Sequence, residues 1–128
     1  MVPVPDNARK LFERPIICAL ATLMPNGQPQ VNPVWCDYDG QYVRINTARG
    51  RQKDRNMTQR AKVTVMLFDP DDAQHWVEVR GHIAEITEEG ANEHINQLSH
   101  KYDGHDYSFT PGQIRVIYKV EPDKVIAR

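Results

Sequence analysis

Between Arg49 and Lys62 the chain carries six basic residues, Arg49, Arg51, Lys53, Arg55, Arg60 and Lys62, against a single acid, Asp54. Arg51, Lys53 and Arg55 alternate, and Asn56 adds a neutral donor. Guanidinium groups grip phosphate or carboxylate oxygens in a bidentate fork, and a lysine adds a point charge. Backbone amides at the start of a short helix would supply more donors to the same anion. A solvated charged face has the same appearance in sequence, so both readings stay open at this level. The formal net charge is only −1 over 128 residues. A chain-wide basic field, the footprint of a nucleic-acid binder, is therefore absent, and local basicity points to a discrete anionic ligand.

Other chemistry is sparse. His94, His100 and His105 lie close in sequence, but no HExxH pattern occurs, and the six-residue step from His94 to His100 puts them on different helix faces. These three are expected at the surface, and no metal site is expected. His75 adjoins Trp76 at a strand start, where the pair either lines a pocket or packs at a sheet edge. Cys18 and Cys36 have neither metal nor CxxC spacing and read as buried free thiols of a cytoplasmic protein. There is no GxSxG elbow, GxGxxG fingerprint or Walker loop. No catalytic residue can be named. If the chain is an enzyme, a bound cofactor supplies the chemistry.

The elements that must position these residues are mostly strands. Asp6 caps a short helix that runs to about Arg14 and ends at Pro15. "IICALATL" (16–23) is apolar and β-branched enough for a strand buried on both faces. "PNG" turns the chain into a second strand, "QPQVNPVWCDY" (28–38), where Pro29 and Pro33 remove donors and imply an edge or a bulge. "DG" at 39–40 makes a second hairpin into "QYVRINT" (41–47). The basic segment follows as a loop and a short helix. "KVTVMLFD" (62–69) puts Val63, Val65 and Leu67 on one face, and "PDDA" turns into a long strand, 75–87, with a bend or bulge at Gly81. The stretch 88–102 is the one long helix, with Ala91, Ile95, Leu98 and Tyr102 as its apolar stripe. A last strand carries Ile114, Val116, Tyr118 and Val120 on one face. About six strands with hairpin turns and peripheral helices predict one mainly β domain, residues 1–128, built as an antiparallel barrel. The start of the chain lacks the layout of a signal peptide, and no apolar run is long enough to span a bilayer. A barrel this small leaves sheet surface that pairing of two copies would cover.

"LATLMPNGQPQVNPVWCDYDGQYVRINTARGRQKDRNM" (20–57) resembles the signature half of the pyridoxamine 5′-phosphate oxidase-like split-barrel flavoproteins, most closely the branch that uses the deazaflavin coenzyme F420. "VEVRGHIAEITEEGANEHINQLSHKY" (77–102) and "RVIYKVEPDKV" (115–125) are similar to later parts of that branch. The resemblance implies a split β-barrel that works as a homodimer, with the cofactor in a groove between subunits. It implies that Arg51 and Lys53 are the main phosphate ligands, within a segment that includes Arg49 and Asn56. Thr47 and Ala48 would lie near the ring and linker. Gln30, Asn32, Pro33 and Val34 would run alongside the ring, and His75 and Trp76 would reach across from the second subunit.

By the same resemblance the activity is hydride transfer from reduced coenzyme F420 to a small organic acceptor. An FMN-dependent reductase or oxidase is the alternative on the same fold, and a non-catalytic module that stores or delivers the cofactor is a third. The deazaflavin coenzyme carries a phosphodiester and a glutamate tail, so a long stripe of cations suits it better than FMN, which ends in one phosphate. The chain is shorter than the pyridoxamine phosphate oxidases proper, which argues against oxidation of pyridoxamine phosphate.

Overall fold

The computed structural model describes residues 2–128. Three helices, α1 (Asp6–Glu13), α2 (Gln52–Gln59) and α3 (Ala91–Asp103), surround seven strands. The strands are β1 (Cys18–Leu23), β2 (Pro29–Val34), β3 (Cys36–Tyr38), β4 (Val43–Ala48), β5 (Lys62–Asp69), β6 (Asp72–Thr87) and β7 (Arg115–Ala127). They form one antiparallel sheet in the order β2-β1-β5-β6-β7-β4-β3.

The seventh strand arises because the stretch 28–38, expected as one strand, is two. β2 is one edge of the sheet and β3 the other, with only Trp35 between them. Opposite edges of a sheet can be one residue apart only if the sheet curls round until they meet, so this link makes the sheet a split barrel. The prolines explain the first edge: without N–H groups at 29 and 33, β2 cannot donate to a strand on both sides. The curl is aided by β6 and β7, whose register shifts at Arg80/Gly81 and again at Ile83/Glu85. At the first shift a Cβ on Gly81 would stand 2.3 Å from the Glu121 carbonyl oxygen, so only glycine permits this approach.

Strand alternation fills the interior with Leu20, Ile45, Val65, Leu67, Val77, Val79 and Tyr118, all essentially inaccessible. Each aliphatic side chain buried this way contributes about 1.5–3 kcal/mol. Cys18 and Cys36 are buried and free, and burial pushes the Cys18 thiol up. Among the described residues no helix is long and apolar enough to cross a membrane.

Several expectations need correction. Residues 16–23 are not buried on both faces: β1 alternates between buried and half-buried, and Ile17 is 52% exposed. In a single chain nothing packs on the outer face. Asp6 does not cap α1; Pro5 holds that position without a side-chain bond, and the helix is kept in place by burying Ala8, Leu11 and Phe12. Ile114 lies before β7 and its side chain is exposed, while its carbonyl accepts from Arg49 N–H at 2.9 Å. His94 is not a surface residue. It is buried on the same side of α3 as Ile95 and Leu98, where polar partners satisfy it.

Candidate cofactor cleft

The basic segment is pinned at one end and open at the other. Asp54, buried in the first turn of α2, accepts from Gly50 N–H at 2.9 Å, from the Tyr118 hydroxyl at 2.5 Å and from Arg49 at 3.1 Å. Burial pushes the Tyr118 phenol up to about 12, with the Asp54 bond adding to it, so it stays a donor. Thr58 and Tyr118 also share a 2.7 Å bond. These contacts fix α2 against β7 and the end of β4. The first intrahelical bond of α2 is Arg55 N–H to the Arg51 carbonyl. The N–H groups of Gln52, Lys53 and Asp54 precede it, so the first turn presents unused donors and the positive end of the helix dipole.

Beside this turn lies a cleft of about 340 Å³. One wall is cationic: Arg51 from the N-cap of α2, Lys53 from its first turn, and Arg115 from the start of β7. The other is apolar, formed by Ile17, Pro33, Val34, Trp35, Ile95 and Tyr107. Trp35 is held by stacking on Tyr102, with centroids 5.3 Å apart and planes at 10°. Arg115 is buried and lies 5.2 Å from the Tyr107 ring. Burial lowers the Lys53 ammonium below its ordinary 10.5, and the charges of Arg51 and Arg115 push it down further. Burial likewise lowers Arg115, with Arg51 adding to the effect. Among the described residues, none of the three forms an ion pair with a carboxylate. On the floor, Thr47 Oγ1 is the one buried side-chain polar atom without a partner among the described residues. Three cations without a carboxylate partner thus line one cleft together with an orphaned hydroxyl, a donor set whose chemistry suits a phosphate.

The site residues expected from sequence divide into groups. Pro33, Val34, Thr47, Arg51 and Lys53 line the cleft. Ala48 is buried and pairs with Arg115 across β4 and β7. Arg49 is committed elsewhere, to Glu88 at 2.9 Å as well as Asp54. Asn56 is fully buried and bonds Thr22 at 3.0 Å and Gln30 at 3.3 Å, so Asn56 and Gln30 tie α2 to the β1–β2 hairpin. Asn32 lines a neighbouring hollow on the outer sheet face, with Ile17, Pro33, Met66 and Phe68. Trp76 lies in a third hollow beside Phe68, under the Arg128 guanidinium at 5.5 Å. His75 Nδ1 donates to the Arg128 carbonyl at 2.6 Å. Within one chain His75 and Trp76 do not reach the cleft. Sequence reasoning missed Arg115, which shows there only as one of several charged residues in the last strand.

One group among the described residues has metal-compatible geometry: ligand atoms of His82, Glu121 and Asp123 lie within 4.8 Å of one another. His82 Nδ1 already meets both Asp123 oxygens at 3.0 Å, and Lys62 is its cross-strand neighbour, a cation that opposes a metal there.

Comparison with known proteins agrees with this architecture. The pyridoxamine 5′-phosphate oxidase family model matches residues 4–128. A solved F420 reductase is 34% identical, with 98% of this chain and 100% of that one covered and a TM-score of 0.87. A conserved hypothetical protein of Mycobacterium tuberculosis shares the fold at 21% identity, with 98% and 84% covered and a TM-score of 0.74. HupZ of Group A Streptococcus does so at 19% identity, with 97% and 93% covered and a TM-score of 0.70. A search of curated proteins returned no match. The curled sheet, the cleft at its seam and a family model that spans nearly the whole chain agree: this protein belongs to the pyridoxamine 5′-phosphate oxidase-like split-barrel family.

Proposed function

We propose that the protein is an oxidoreductase that binds coenzyme F420 in the cleft and serves hydride transfer to a small organic acceptor. The observation that carries the reading is that Arg51, Lys53 and Arg115, none of them paired with a carboxylate, line one cleft with the unpartnered Thr47. Bound there, the cofactor supplies two-electron hydride chemistry. The chain's own residues bind and orient. Lys53, Arg51 and the first turn of α2 neutralise a phosphate, and Thr47 donates to one of its oxygens. Trp35, Val34 and Ile95 offer apolar surface against which a planar ring is held dry.

The count of cations does not itself choose F420 over FMN. Arg49 is paired with acids, Arg55 bonds the Gly50 carbonyl and Gln52, and Arg60 bonds the Leu23 carbonyl at 2.6 Å. The choice rests on the similarity to the F420 reductase. Fluorescence titration of the purified protein tests it: F420 should bind at least about tenfold more tightly than FMN, and the reverse order transfers the site to FMN.

The working form in this proposal is a homodimer. The outer face of β1, β2 and β5 presents Ile17, Val31 and Phe68, exposed by 52%, 61% and 46%. Ile17 and Pro33 belong both to this face and to the cleft. A second copy seated there would bury the apolar face and close the open side of the cleft.

A further inference from the structure

A polar relay runs along one face of β4, against α3, to the cleft. Arg44 grips Asp37 through two bonds, of 2.8 and 2.7 Å. Asp37 Oδ2 lies 3.1 Å from His94 Nε2. His94 Nδ1 lies 3.2 Å from Asn46 Nδ2, and that amide also donates to the Ala91 carbonyl at 2.9 Å. Asn46 Oδ1 then accepts from Arg115 Nε at 2.9 Å. Asn46, His94 and Arg115 are 8%, 2% and 4% exposed, so water does not substitute for the links among these three.

The direction of every bond is determined. Arg115 can only donate, so it faces the Asn46 oxygen, and the Ala91 carbonyl requires the Asn46 NH2 on the other side. His94 Nδ1 must accept, which leaves Nε2–H to donate to Asp37. We propose that His94 and Asp37 are positioning residues for the anion site: they fix the Asn46 amide so that its oxygen holds the Arg115 guanidinium toward the cleft. The inference rests on the reading of that cleft as a cofactor site.

Arg115 needs such a support. No carboxylate touches it; its remaining side-chain bonds go to the Tyr107 hydroxyl and to Gln113 Oε1, both at 3.2 Å. A buried guanidinium repelled by Arg51 would otherwise swing out along its flexible stem. The relay supplies an oriented acceptor, and Asp37 supplies the negative end of the chain of dipoles three links away.

The test reads Arg115 directly, then cofactor affinity. In cofactor-free protein the Arg115 Nε–H should give a resolved, slowly exchanging 1H–15N resonance. His94→Ala should remove its protection. His94→Asn, whose carbonyl can stand where Nδ1 accepts, should restore it. Asp37→Ala removes the acceptor of His94 Nε2–H and should also weaken the protection of Arg115. F420 affinity should fall about tenfold in His94→Ala, as for loss of one charged hydrogen bond, and recover in His94→Asn. In an Arg115→Ala background His94→Ala should cost less than about twofold. Equal costs in both backgrounds, or an Arg115 resonance indifferent to His94→Ala, would reduce the relay to a tie between α3 and β4 and overturn the proposal. Failure of the unmodified protein to bind F420 would sink the cofactor assignment, while the resonance would still decide the relay.

Discussion

Replacing Lys53 by methionine keeps most of the side chain's length and removes its charge. In the free protein this ammonium sits in a wall of like charge: burial first, then Arg51 and Arg115, lowers it from 10.5. Its loss should therefore leave folding stability level or slightly improved, within about 1 kcal/mol, the range for a charge with no partner to lose. Cofactor binding should respond in the opposite sense. Losing one charged hydrogen bond to a phosphate costs about 1.5–3 kcal/mol, a factor of roughly ten to a hundred and fifty in Kd. The two effects also separate by pH. Between the lowered folded value and 10.5 the unfolded chain keeps the Lys53 proton and the folded chain releases it. The unfolded state then binds more protons, so stability rises with pH across that window. Affinity for an anion should fall across the same window, and Lys53→Met should remove the Lys53 share of both slopes, while Lys101, which burial also lowers, keeps its own share of the stability slope. Urea unfolding and fluorescence titration, each run as a pH series, measure them. A variant about 2 kcal/mol less stable with unchanged affinity would refute the reasoning and make Lys53 a structural residue.

Thr47→Val removes the orphaned hydroxyl without changing volume. Thermal unfolding should show a gain of about 1 kcal/mol, since no bond is lost and a buried unsatisfied group is; cofactor affinity should drop. Phe68→Glu places a charge at the centre of the exposed apolar face. Sedimentation should then show the proposed dimer of the unmodified protein replaced by a monomer, with cofactor affinity reduced because the cleft stays open. Gly81→Ala forces a methyl against the Glu121 carbonyl at 2.3 Å. It should destabilise by at least about 1–3 kcal/mol, the usual range for overpacking, and a neutral result in denaturant unfolding would mean that the β6–β7 bulge relaxes freely.

The parts of this protein legible in sequence are those governed by local chemistry. Asn26-Gly27 and Asp39-Gly40 turned the chain where expected, since each glycine has positive φ in the structure. Val63, Val65 and Leu67 alternated inward as a two-residue period demands. The basic segment became a loop and a helix, and two of its cations line the cleft. The sequence alone determined, then, the hairpins, the inward faces of the strands and the neighbourhood of the anion site. Tertiary structure decided the rest. Six cations in one segment look alike in sequence, and only packing turned Arg49 and Arg60 to protein acceptors while leaving Arg51 and Lys53 uncompensated. Trp35 reads as mid-strand until sheet closure sends the strands on either side of it to opposite edges. Arg115 and His94 became part of the site through pairings 69 and 48 residues apart in sequence. A period shows which side of an element a residue occupies, but not what stands opposite, because the facing partner is chosen by the curl of the whole sheet.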